Sequence, residues 1–293
     1  MRRSLFAAAS VIALTAAPAL SQETTIDDTR EEPVDTATAD EGAPANLIIG
    51  ASGRVSLRDV PGPAVTVNSD NDLTIEGGGQ ISISDTDENG DNIVLADAVG
   101  VQVQDGVSST LTHGGSITLG DSYTAQRQEG QVDSDGDGEP DVEDPEADGD
   151  FAEDQNKTGI LIGDLAADGR SAAAGQSGVT GDVLLEDSST VNVAGQNSFG
   201  VRSVTDIYGD FLSQGQIAIR GENSRAISLE GDVGGDVSVA RINVSSPGGD
   251  GVVVDGEVGG GVRFTGSMTV TGYRLGERVS ELLTQQLEAE DVQ

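Results

Sequence analysis

The chain has 293 residues with 15 basic and 51 acidic side chains, a formal net charge of −36, and no cysteine. That balance excludes wrapping of a phosphate backbone, which needs Lys/Arg neutralisation, and the missing thiols exclude disulfide frameworks and thiolate zinc sites. One histidine, His113, excludes multi-histidine metal centres, and eight aromatics (5 Phe, 3 Tyr, no Trp) are too few for the two interfacial girdles of a membrane barrel.

Residues 1–21 read as a secretory signal. Arg2 and Arg3 form a charged start, an apolar stretch runs from Leu5 to Leu20, and Ala17-Pro18-Ala19 or Ala19-Leu20-Ser21 offers a small-residue cleavage site. The product is expected to leave the cytoplasm of a bacterium. Residues 22–45 hold eight acids against one arginine and little apolar periodicity. They are expected to be a flexible acidic leader.

From Asn46 the pattern becomes short apolar alternations broken by Gly, Asp, Asn and Ser, which signals many short strands. Three kinds of strand alternate. One reads Gly100-Val101-Gln102-Val103, Gly159-Ile160-Leu161-Ile162, Ala226-Ile227-Ser228-Leu229 and Gly251-Val252-Val253-Val254. A second has a Gly-Asp entry at Asp182, Asp210 and Asp236, with Gly261 in the following place. The third starts at Val191, Ile217, Ile242 and Met268, in steps of 26, 25 and 26 residues. In the first half the same order is stretched: Val65 to Val101 and Ile81 to Ile117 are both 36 apart. Three strands per roughly 26 residues make one turn of a three-sided coil. The expected fold is therefore all-β, a parallel β-helix or β-solenoid of about six coils over residues 46–274. Coils stack about 4.8 Å apart, with Val, Ile and Leu inward.

The cycle containing Gln196-Asn197-Ser198-Phe199-Gly200-Val201 and Glu222-Asn223-Ser224-Arg225-Ala226-Ile227, with Val270-Thr271-Gly272-Tyr273-Arg274, resembles the passenger region of alphaproteobacterial autotransporters (type V secretion). The resemblance covers roughly residues 46–274. It implies a β-helix at the cell surface or released, exported through an outer-membrane barrel supplied by a longer parent protein. It also implies a host-surface, polysaccharide or neighbouring-cell ligand.

An acidic insertion interrupts the repeat over residues 121–157. Within it, residues 131–154 contain twelve acids and no base. Asp133, Asp135, Asp137, Asp141 and Asp144 follow the spacing D-x-D-x-D-G-x-x-D-x-x-D. Side chains at alternate positions converge on one Ca²⁺, Gly138 permits the reversal, and the last two acids complete an oxygen shell. The loop resembles a thrombospondin type 3 repeat more than an EF-hand, since Pro140 interrupts the expected bridge and no amphipathic helices flank it. The run Asp85-Thr86-Asp87-Glu88-Asn89-Gly90-Asp91, one coil earlier, is a weaker second candidate. The column Asp182, Asp210, Asp236 is expected to be three turn caps, each bonding its own backbone.

No catalytic constellation assembles from the sequence. His113 is the one candidate base for a triad and is expected to sit in a surface turn. A β-helical polysaccharide lyase would need Asp and a basic residue converging in a cleft. Arg202, Arg220, Arg225, Arg241 and Arg263 share no coil position and are expected on solvated faces. Finally, Leu275, Val279, Leu282, Leu283 and Leu287 recur at helical spacing. Residues 275–293 are expected to form an amphipathic helix that caps the solenoid or opens a further insertion.

Overall fold

The computed structural model describes residues 22–87, 89–122, 152–169 and 171–271. The expected signal segment 1–21, the expected calcium loop 133–144 and the helix expected over 275–293 lie outside them. The described chain winds as a parallel β-solenoid, all of its strand pairs within the sheets being parallel.

The strands fall into coils of three. The first holds β1 (Glu23–Ile26), β2 (Thr29–Arg30) and β3 (Val34–Asp35); the second β4 (Asn46–Ile49), β5 (Arg54–Arg58) and β6 (Gly62–Val67). The third holds β7 (Leu73–Ile75), β8 (Gln80–Ser84) and β9 (Ala98–Val103); the fourth β10 (Leu111–His113), β11 (Ser116–Leu119) and β12 (Thr158–Ile162). The fifth holds β13 (Val183–Leu185), β14 (Thr190–Ala194) and β15 (Phe199–Ser203). In the sixth and seventh, one long strand bends through two faces: β16 (Phe211–Arg220) with β17 (Arg225–Leu229), then β18 (Val237–Ser245) with β19 (Asp250–Val254). β20 (Val262–Phe264) and β21 (Met268–Thr271) begin an eighth.

Two faces share one 14-stranded sheet, because β16 and β18 serve both; the third face is the 7-stranded sheet from β3 to β19. The core is a set of single-residue columns fixed by strand register. On the second face Val55, Ile81, Ile117, Val191, Ile217 and Ile242 stack directly, all buried. On the third, Val65, Val101, Ile160, Val201 and Ile227 do the same. β-Branched and aliphatic side chains suit this narrow interior, where alternate residues point to one side. Where the third face meets the second, space is short. A Cβ on Gly200 would lie 2.4 Å from Ile217 Cγ2 and 2.6 Å from the Ala226 carbonyl oxygen. The Gly-Val and Gly-Ile pairs of the repeat record that contact.

One expectation is corrected. Residues 22–45 are not a loose leader; they form the first coil. β1 pairs in register with β4, β2 with β5 and β3 with β6. The acids hid this by occupying outward and corner positions, while Ile26 and Ala45 are buried and Val34 packs against the core. Among the described residues, seven full coils and the start of an eighth therefore replace the six expected.

Candidate functional site

The five sequence-predicted calcium ligands, Asp133, Asp135, Asp137, Asp141 and Asp144, lie outside the described residues. What the structure does define is the root from which that insertion leaves, between Ser122 and Ala152, at the corner joining the second and third faces.

The root is tied by carboxylates from three segments. Asp121, the entry residue, accepts hydrogen bonds through Oδ2 from the backbone N–H groups of Glu153 (2.8 Å) and Asp154 (3.1 Å), which are exit residues. One coil earlier, Asp85 Oδ2 accepts from the Ser122 N–H (2.7 Å) and from the Ser122 hydroxyl. Asp154 Oδ1 accepts from the Leu95 N–H at 2.6 Å. Its other oxygen faces the ammonium of Lys157, which also donates to the Gly120 carbonyl. Gln196, from the next coil, donates to the Asp154 carbonyl (2.7 Å) and through its side chain to the Ala152 carbonyl (2.8 Å). Arg220 reaches the Asp121 carbonyl at 3.4 Å.

Oxygens of Asp85, Asp121 and Asp154 all lie within 4.8 Å of one another. Asp154 and Lys157 are 0% exposed, and Asp85 is 4% exposed. Burial pushes the Asp154 carboxyl above the ordinary carboxylate range. The Lys157 ammonium and the Leu95 N–H pull it down, and the Asp121 charge raises it further. Three converging carboxylate oxygens are a donor set that could hold a hard cation. Here a protein ammonium stands beside Asp154, and all three acids accept backbone N–H bonds. The described geometry thus fastens both ends of the insertion to three consecutive coils. Sequence reasoning missed Lys157. The signal was available: it is the chain's single lysine, and it abuts the strand Thr158–Ile162, which is buried throughout.

The second acidic run does not gather around one point. Asp85 turns into the root, whereas Asp87 Oδ1 accepts from the N–H groups of Asn89 (2.8 Å) and Asp91 (2.9 Å) and so closes its own turn. These bonds hold the Asp87 carboxyl below its usual range.

The aspartate column is also corrected in detail. Each side chain caps the backbone of the next coil, not its own. Asp182 accepts from the Asp210 N–H (2.8 Å), Asp210 from the Asp236 N–H (2.7 Å) and Asp236 from the Gly261 N–H (2.7 Å). A second column runs beside it, Asp206 to the Asp232 N–H and Asp232 to the Glu257 N–H. The serines run the opposite way at another corner: Ser198, Ser224 and Ser246 accept from the backbone of the preceding coil, at Lys157, Ser198 and Ser224 respectively, each at 3.0 Å.

His113 is not in a surface turn. Its ring points into the core in the column Ile49, Ile75, His113, Leu185, and is 0% exposed. Nε2 lies 3.2 Å from the Thr190 carbonyl, an acceptor, so Nε2 carries the proton; Nδ1 has no partner. Arg202 is likewise buried. It forms a two-pronged pair with Glu230 (2.7 and 3.3 Å) and stacks 4.6 Å above the Phe199 ring. The Asp154–Lys157 pair is thus interior, and a polymer substrate cannot reach it, whereas Arg225–Asp250 and Arg241–Asp187 pair at the surface on different coils. A cleft lined among others by Ile26, Arg30, Pro33 and Leu47 lies at the first described coil.

Comparison with protein-family models, with curated proteins and with solved structures found no match to this chain.

Proposed function

We propose that this chain is an exported β-solenoid passenger of the autotransporter type. In this reading it works as a structural or adhesive rod at the surface of a Gram-negative bacterium, without catalysis, and displays a calcium-binding loop. The observation that carries the reading is the root of the insertion. A stiff stack of coils holds entry residue Asp121 and exit residues Glu153 and Asp154 together at one corner, so a long acidic loop leaves from a fixed base. The first coil begins at Glu23, just past the expected signal segment, which suits export of residues 22 onward as one folded body. The buried setting of the acid–base cluster speaks against a lyase, because a catalytic group must reach its substrate.

Two experiments test it. Expressed from Met1 in a Gram-negative host, the protein should leave the cytoplasm and begin near residue 20 or 22; an uncleaved cytoplasmic product would refute export. Titration calorimetry of the purified chain should show Ca²⁺ binding at millimolar ion or tighter. The double variant Asp135→Ala/Asp137→Ala should abolish it. Equal binding by that variant, or none by the parent, would refute the loop. Release of unsaturated products from uronate polymers would establish the lyase instead.

A further inference from the structure

The two ends of the solenoid are chemically unlike. At the start, the core columns finish in Thr24, Ile26, Arg30 and Val34, each stacked on the coil-two residue of its column. Arg30 stands over Val55 and pairs with Asp28 at 3.1 Å. A charged residue at an inward position blunts that end against pairing with another chain. At the other end every column on the first two faces finishes in a large apolar side chain. Val262, Phe264, Met268 and Val270 stack on Val237, Val239, Ile242 and Val244. The four supporting residues are 0–3% exposed, whereas the four terminal ones are 51%, 56%, 44% and 42% exposed. Among the described residues, β20 and β21 pair with β18 alone and β19 with β17 alone, so their outer edges are also open. An apolar floor ringed by unpaired strand edges requires a cover.

We propose that residues 275–290 of the same chain cover this end, as a helix whose Leu275, Val279, Leu282, Leu283 and Leu287 lie on Val262, Phe264, Met268 and Val270. Three considerations select this occupant over a second copy. The segment follows Thr271, the last residue of the open floor, by three residues. A short tether gives it a millimolar effective concentration there. Its apolar spacing supplies one face for the floor and leaves Glu277, Arg278, Glu281 and Glu288 for water. A second copy has no such advantage, and its starting end presents Arg30, Glu31, Glu32 and Asp35.

The chain contains no cysteine, so paired cysteines report the contact directly. Met268→Cys is combined in the full chain with Val279→Cys, Leu282→Cys or Leu283→Cys in turn, and with Glu281→Cys as the control. The expected result is a disulfide within monomers for at least one apolar tail position and none for Glu281→Cys. Disulfide-linked dimers only, or equal linkage from Glu281→Cys, would overturn the proposal. Hydrogen exchange gives a second reading. In the double variant Leu282→Asp/Leu283→Asp, amides of Val262–Phe264 and Met268–Thr271 should lose protection while those of Phe211–Arg220 keep it. Unchanged protection at the end strands would overturn the proposal as well.

Discussion

Two buried ionisable residues dominate at the scale of single side chains, and they act in opposite ways. His113 replaces an aliphatic residue in a core column and is pushed down to about 4 by desolvation, with the Thr190 carbonyl opposing the shift. An unfolded histidine takes its proton near pH 6.5, and the folded one resists until about pH 4. Between those values unfolding takes up a proton, so stability falls as pH drops through this window. The two values set a loss of about 3 kcal/mol by pH 4. His113→Leu should remove that part. Urea melts of both proteins at pH 7 and pH 4.5 should show a smaller acid loss in the variant, and equal losses would refute the account. Lys157 behaves as the partner of a buried charge. Lys157→Met should cost about 3–5 kcal/mol, because Asp154 is left buried without its counter-charge. The double variant Asp154→Leu/Lys157→Met should recover much of it; a double variant as unstable as the single one would show that packing, not charge, sets the loss.

At the scale of elements, the strands were legible because their periodicity is repeated. A 26-residue cycle of alternating Val, Ile and Leu leaves few alternatives, and the register columns place those residues where the repeat put them. The first coil was not legible. Its strands are two to four residues long and its acids outnumber its aliphatics, so no period shows. Its pairing comes from the coil below it, not from its own pattern. The root of the insertion was half legible. The acids were visible, but their partners are backbone N–H groups from neighbouring coils or from the far side of the insertion, which no local spacing encodes. The same holds for the aspartate ladder, where the donor lies 25–28 residues ahead of its acceptor. Asp210→Ala deletes the acceptor for the Asp236 N–H and should cost at most about 1.5–3 kcal/mol, the range for hydrogen bonds to charged groups. Asp210→Asn keeps an oxygen there and should cost less. Thermal melts of the two variants decide this, and equal losses would mean that the side chain's charge, not the bond, stabilises the corner.

At the scale of the whole molecule, the ladders place like charges in rows along the rod. Adjacent coils are about 4.8 Å apart. Two carboxylates at that separation repel by about 1 kcal/mol even at the dielectric constant of water. Asp182, Asp210 and Asp236 form one row and Asp206 and Asp232 another, in a chain of net charge −36. Each carboxylate therefore gains a backbone bond and loses through its neighbours, and the balance depends on screening. The Debye length falls from about 10 Å at 0.1 M salt to about 3 Å at 1 M, which is shorter than the coil spacing. The bonds persist while the repulsion fades, so the thermal midpoint should rise between those two salt concentrations. Screening does not distinguish Na⁺ from K⁺, and the two chlorides should give the same rise. The triple variant Asp182→Asn/Asp210→Asn/Asp236→Asn keeps the acceptors without the charge, so its midpoint should depend less on salt. A midpoint that ignores salt, or a slope unchanged in the triple variant, would place the cost of this charge outside the ladders.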